Sequence, residues 1–277
     1  MQKSPDLLSH SYLILLDDLD LHWSASPTHR ALLEGLLEAL LELSKLRPFS
    51  FVVSLRRDIF AQLTIADRDK LRHGLIDIEW TEDQLRKMLE ARIGWALYGN
   101  ISQGKMDDLF DTGTWKPICA VAGGNPRRAI EIAERAIVGA LQGGRAKVTR
   151  QFVDAAISRS SSEFLMDLAD QYHFTYPGLH EAAFAFRGFR AEFSFDDFEG
   201  ICAGLAENVS EESNRKWILQ LDDNALAMAR VLLDVRFLLY KSGRQSTCEE
   251  FNESRHPLDR NCWLAVNPAY RPALGIS

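Results

Sequence analysis

Five apolar residues in succession, Tyr12-Leu-Ile-Leu-Leu16, run straight into Asp17-Asp18. A run of strand length without polar alternation calls for cover on both faces, which is the setting of a parallel sheet in an α/β protein. A second run, Phe49-Ser-Phe-Val-Val-Ser-Leu55, is rich in β-branched and aromatic residues and ends in Arg56-Arg57-Asp58. Open parallel sheets bind ligands at the C-terminal edge of their strands, so both charge clusters would face one crevice. Between the runs, from about His29 to Leu43, Leu32, Leu33, Leu36, Leu37, Leu40 and Leu41 repeat along one side of an amphipathic helix, and Pro48 closes the segment. Each cluster also has a plainer reading: acids that end a strand in solvent, and a surface basic pair.

A third run, Leu75-Ile-Asp-Ile-Glu-Trp80, is strand-like and precedes Thr81-Glu-Asp-Gln84. That tetrad reads as a capping box, with Trp80 free to staple against Leu85. The helix that follows carries Leu85, Met88, Leu89, Arg92, Ile93 and Leu97 at three- and four-residue spacings, which predicts one core face. In Gly123-Gly-Asn-Pro126, Asn125 suits an N-cap and Pro126 the first helical position, so a helix is expected from about Pro126 to Leu141, where Gly143-Gly144 stops it. Arg127 and Arg128 then sit in its first turn. Cations oppose the helix dipole there, which implies a carboxylate or phosphate partner; a structural salt bridge to a neighbouring acid explains the pair as well.

Beyond Thr149 the pattern predicts helices near Arg150 to Ala156, Ser162 to Tyr172 and Pro177 to Phe186, then one capped by Ser194 that runs to about Ala206. Another helix ends near Asp234. Phe237-Leu-Leu-Tyr240 and Cys262-Trp-Leu-Ala-Val266 read as two strands of a hairpin across the polar stretch from Lys241 to Asn261, the element order of a winged helix. The mixed spacing of aromatics from Phe184 to Phe195 fits a buried turn better than a base-stacking surface.

Composition removes several classes. With 277 residues, 46% of them hydrophobic, the chain is long enough for a sizeable core and two domains. Lys and Arg total 32 against 39 Asp and Glu, and the net charge of -7 opposes general attraction to nucleic-acid phosphate. The helix before the last hairpin offers Arg230 and Arg236 against three aspartates, so DNA is open as a partner but not favoured. No apolar stretch approaches the roughly 20 residues of a membrane helix, and the first ten residues lack the apolar core of a signal peptide; a cytoplasmic location is expected. Cys119, Cys202, Cys248 and Cys262 form no CxxC pair, and the spacing of Cys248, His256 and Cys262 matches no usual zinc pattern.

Taken in order, LILLDD, FVVSLRRDIF, the segment from Trp80 to Ile93, and GGNPRR resemble P-loop ATPases of the STAND and AAA-like kind. More narrowly they are similar to a bacterial group that ends in a winged helix, whose C-terminal signature Trp263 to Ile276 also resembles. The resemblance implies an α/β fold: a partial P-loop NTPase sheet of the ASCE type over 1–100, a helical lid over 101–148, and a mainly α winged-helix domain over 149–277. It implies Asp17 as the Walker B carboxylate that holds Mg2+ through its water shell, and Asp18 as the catalytic acid that activates the attacking water. It also implies Arg56 as the sensor of the γ-phosphate, and Arg127 as the second sensor with Pro126 near the nucleotide, ATP.

The chain departs from that family in one large respect: no G-x-x-x-x-G-K-[ST] occurs in its 277 residues. Without amides and a lysine around the β- and γ-phosphates, hydrolysis by the chain alone is not expected. In the resembled fold the phosphate-loop strand lies between the strand ending in Arg56 and the strand at Leu75 to Trp80. The expectation is therefore a sheet with a gap, completed by a missing N-terminal segment or a protein partner, in a fragment or a product of a mis-called start codon. Three functions remain: part of an ATP-driven molecular switch, a degenerate non-hydrolysing scaffold for protein contacts, or a DNA-binding regulator.

Overall fold

The computed structural model describes residues 11–20, 23, 26–46, 48–56, 59–60, 63–65, 74–222, 225–249, 251, 256 and 258–276. Arg57 and Asp58, the end of the second charge cluster, lie outside them, as does part of the polar stretch between the last two expected strands. The chain is a mixed α/β structure that divides into two compact units, 1–77 and 78–277.

In the first unit β1 (Tyr12–Leu16) and β2 (Phe49–Val53) pair in parallel, in register from Tyr12 opposite Phe49 to Leu16 opposite Val53. The crossover is α1 (Pro27–Ser44), which starts where Ser26 accepts a hydrogen bond from the His29 amide at 3.2 Å and Pro27 fills the first turn. Leu33 and Leu37 of α1 are buried in a small core with Ile59, Leu63 and Ile65, and Val53 and Leu55 pack against it. The opposite face of the sheet differs from expectation. Leu13, Leu15 and Val52 share that face and are exposed, Leu15 to 69%. A single crossover helix can cover only one side of two parallel strands.

The run from Leu75 to Trp80 forms no strand, against expectation. Among the described residues no strand pairs with it, and Ile76 and Ile78 stand 85% and 84% exposed.

The second unit opens with α2 (Glu82–Tyr98). Its capping box is formed: the Gln84 amide donates to Thr81 Oγ1 at 3.3 Å and the Thr81 amide to Gln84 Oε1 at 2.8 Å. Leu85, Leu89 and Ile93 are buried as expected, but Leu97 is exposed. The core face of the helix ends at Gly94, where the returning backbone of Gly104 crosses so closely that a Cβ on Gly94 would stand 2.5 Å from the Asn100 carbonyl oxygen and 2.7 Å from the Gly104 nitrogen.

Two short helices, α3 (Met106–Leu109) and α4 (Lys116–Ala122), lead to α5 (Pro126–Gln142). Its inner face is Ala129, Ile132, Ala133, Ala136 and Ala140, small side chains that let it lie close to the long α6 (Arg150–Tyr172). Two helices were expected where α6 is one. The serines between the two expected helices are accommodated in one: Ser160 and Ser161 are buried, and Ser162 Oγ donates back to the Ser158 carbonyl at 3.3 Å.

The remainder is α7 (Leu179–Phe184), β3 (Glu192–Ser194), α8 (Phe195–Cys202), α9 (Glu212–Asp222), α10 (Ala225–Asp234), β4 (Leu238–Lys241) and β5 (Trp263–Val266). β4 and β5 pair antiparallel as anticipated, Leu238 opposite Val266, and β3, not anticipated, joins the free side of β5 to give the order β3-β5-β4. Phe186, Phe193, Phe195 and Phe237 are fully buried around this sheet, so the aromatic stretch is core. No helix among the described residues is long and apolar enough to cross a membrane.

Two measurements test this packing. Gly94→Ala should lower stability by about 1–3 kcal/mol in urea unfolding, because backbone rather than a flexible side chain must move; an unchanged midpoint would contradict the crossing. At the start of α8, the hydroxyl and amide of Ser194 and then Arg190 hold the Asp197 carboxyl below its ordinary range, with contacts of 2.8, 3.2 and 2.6 Å. A lowered native pKa means the stabilisation is complete above the unfolded aspartate value of about 3.9 and is lost as pH falls through the native value. The difference between parent and Asp197→Ala should therefore be largest near neutrality and shrink in acid.

Candidate functional site

Parallel pairing decides the geometry of the first candidate. Because β1 and β2 run the same way in register, and the Ser54 amide still donates to the Leu16 carbonyl at 2.8 Å, the ends of both strands lie at one edge of one sheet. Asp17 and Asp18 leave β1 there, both exposed, and Arg56 follows β2 two residues after Ser54. Asp18 has φ of 58°, one of two non-glycine residues among those described in the left-handed region. Aspartate tolerates that conformation better than most side chains, and it turns the chain sharply where the strand stops.

Asp20, to which sequence reasoning gave no role, also belongs to this edge. Its Oδ2 lies 3.8 Å from Arg56 Nη1, a long and partly exposed ion pair worth no more than about 1 kcal/mol. The signal was present in the sequence as the third carboxylate of Asp17-Asp-Leu-Asp20. Only the fold shows that the guanidinium pairs with it.

The second candidate is the start of α5, in the other unit. Asn125 caps the helix, its Oδ1 accepting from the Arg127 amide at 3.0 Å and the Arg128 amide at 3.2 Å, and Pro126 occupies the first turn. The two arginines then part. Arg127 is exposed, and among the described residues no ion pair to it is found. Arg128 is half-buried: its Nη2 donates to Tyr270 Oη at 2.7 Å, and its guanidinium lies over the rings of Phe164 and Tyr270 at 4.7 and 5.1 Å. The anionic partner expected for the pair is, for Arg128, a phenol and two aromatic faces. Such contacts contribute about 0.5–2 kcal/mol each, enough to offset the dipole penalty of the helix start.

Among the described residues no cluster of three or more His, Cys, Asp or Glu is arranged to hold a metal ion. Cys248, His256 and Cys262 turn to different partners. Cys248 Sγ lies 3.8 Å from Glu192, and His256 stacks on Tyr240 at 4.7 Å and meets Glu249 at 3.1 Å. Cys262 is buried, with its thiol pushed up to about 11 by burial, as is that of Cys119. Buried thiols held this far from ionisation are unreactive at neutral pH.

No protein-family model matches the chain, and no curated protein matches it. Among solved structures it is similar to Cdc6p from Pyrobaculum aerophilum, at 15% identity and a TM-score of 0.38, covering 94% of this chain and 63% of that one. It is similar to the ORC2 protein of Aeropyrum pernix in ADPNP-ADP complexes, at 15% identity and 0.43, over 95% and 63%. A third likeness is to RuvB of Thermotoga maritima, at 15% identity and 0.37, over 90% and 70%. The chain thus spans less than two thirds of the length of the first two.

The thiol geometry gives a direct check. At pH 8 a thiol reagent should label Cys248, which is half-exposed, well before Cys119, Cys202 and Cys262, which are buried. Fast labelling of Cys119 or Cys262 in the folded protein would contradict their burial.

Proposed function

We propose that this chain is the magnesium- and sensor-bearing part of an ATP-driven molecular switch, a P-loop ATPase of the STAND and AAA-like kind. On this reading 1–100 is the part of the ATPase core with Walker B and the first sensor, 101–148 the lid with the second sensor, and 149–277 a winged-helix domain. The observation that carries it is the shared edge of β1 and β2, with Asp17 and Asp18 leaving one strand and Arg56 following the other. The three-stranded sheet β3-β5-β4 with α8 to α10 around it supports the last assignment.

The residues present fit one part of Mg2+–ATP and not the other. Magnesium keeps most of its waters and needs only one or two carboxylates, which exposed Asp17 and its neighbour offer without a larger ligand cluster. When bound, the ion would neutralise phosphate charge. Asp17 would hold the ion through its water shell, Asp18 would take a proton from a water, and Arg56 would supply positive charge; Arg127, in the other unit, is proposed separately as a second sensor. The phosphates, by contrast, lack an amide cradle and lysine in this sequence. The exposed face of Leu13, Leu15 and Val52 supports a sheet covered by further polypeptide, whether of this protein or of a partner.

A second reading, a non-hydrolysing scaffold, is favoured by the same missing cradle. A DNA-binding role gains nothing: of α10, the helix before the hairpin, Met228, Ala229, Leu232 and Leu233 are buried and only Arg230 is exposed.

The pure chain should show no ATP turnover. Joined to a phosphate-loop segment, Asp17→Ala should weaken magnesium-dependent nucleotide binding, whereas Asp18→Asn should spare binding and slow hydrolysis by about 100- to 10,000-fold. Equal rates for Asp18→Asn and parent would remove the catalytic assignment, and turnover by the chain alone would overturn the reading of an incomplete site.

A further inference from the structure

Three contacts tie the last residues of the chain to the beginning of α5 and to α6. Tyr270, itself fully buried, accepts the hydrogen bond from Arg128 and stacks on Phe237 at 5.5 Å. Asn267, three residues earlier, lies against the glycine turn that precedes α5: a Cβ on Gly123 would stand 3.5 Å from its Oδ1. The Ala273 amide donates to Ser161 Oγ on α6 at 3.0 Å. The same segment is rooted in the three-stranded sheet, since the Asn267 amide donates to the Phe237 carbonyl at 3.0 Å and Asn267 Nδ2 to the Arg236 carbonyl at 2.9 Å. Arg236 is held at φ of 59° in that turn.

We infer that Tyr270 is a positioning residue for the first turn of α5, and through it for the exposed Arg127. Arg127 and Arg128 share one turn and one cap, so a rotation that moves Arg128 relative to Tyr270 moves the Arg127 backbone with it. Arg128 is clamped between two aromatic faces and one hydroxyl, a set of contacts with directional demands that a purely apolar anchor would not impose. The sheet around β5 and the start of α5 are therefore one mechanical piece. An effect at either end is felt at the other by reciprocity of coupling. That Arg127 meets phosphate rests on the function proposed above; the link from Tyr270 to the turn does not.

Hydrogen exchange of the full chain tests the link. Tyr270→Phe keeps the ring stack on Phe237 and removes only the hydroxyl. It should speed exchange of the Ala129 and Ile130 amides roughly tenfold while leaving the far half of α5, from Ala136, unchanged. Reciprocally, Arg128→Met should speed exchange of the Leu274 and Ile276 amides. Changes confined to the element that carries the substitution, or spread evenly over 78–277, overturn the inference. Millimolar tripolyphosphate with magnesium separates this from the nucleotide reading. Protection of the α5 start in the parent, lost in Arg127→Ala and weakened in Tyr270→Phe, supports both. No protection with the reciprocal effects intact removes the phosphate role of Arg127 and leaves the positioning role standing; protection without reciprocity does the opposite.

Discussion

Backbone pairing is the constraint on which the rest of this structure turns. A strand exists only where a neighbour accepts and donates along its whole length, and a parallel neighbour requires a crossover as long as a helix. β1 and β2 satisfy both conditions through α1, so they form, and their in-register pairing is what brings Asp17, Asp18 and Arg56 to one edge. The run from Leu75 to Trp80 has the composition of a strand, but among the described residues it joins no sheet, and its two isoleucines are exposed. The same rule accounts for β3. Three residues with little strand character of their own become a strand because β5 presents an open edge beside them.

Local signals were accordingly well written in the sequence and long-range ones were not. The caps at Thr81, Asn125 and Ser194 depend on residues three apart, and each forms as the spacing predicts. Periodicity finds the buried Leu85, Leu89 and Ile93 of α2 and, in α1, Leu33 and Leu37, although Leu32, expected on the same side, is exposed. Leu97 of α2 breaks that pattern: it is exposed beyond the close backbone crossing of Gly94 and Gly104. The continuity of α6, expected as two helices, likewise rests on packing. Serines lower helix propensity when exposed, but Ser160 and Ser161 are buried in packing and one of them serves a distant amide.

The candidate site divides in the same way. Clustered carboxylates after an apolar run are visible in one dimension, and the structure keeps Asp17 and Asp18 exposed at a strand end. The ion pair between Asp20 and Arg56 spans a helix and a strand and could not be read before the strands were paired. For Arg127 and Arg128 the sequence raised the right question, how two cations are tolerated at the positive end of a helix. It could not show that the answers differ, because the groups that answer for Arg128 are Phe164 and Tyr270.

On the proposed function, that difference bears on how such a turn can serve a switch. A cation kept for a ligand must not be satisfied internally, yet the backbone that carries it must be held, or the entropy of ordering it is lost again on binding. One arginine cannot meet both demands. Two in succession can: Arg128 commits its hydrogen bond and ring contacts to an aromatic clamp that fixes the turn, and Arg127 remains in water, where solvent screens the dipole that opposes it. The clamp belongs to a segment rooted in the C-terminal sheet, so the turn that carries the exposed Arg127 is held from some 140 residues away in sequence. A helix start built only from its own cap would leave the two halves of this unit to move independently; this one does not.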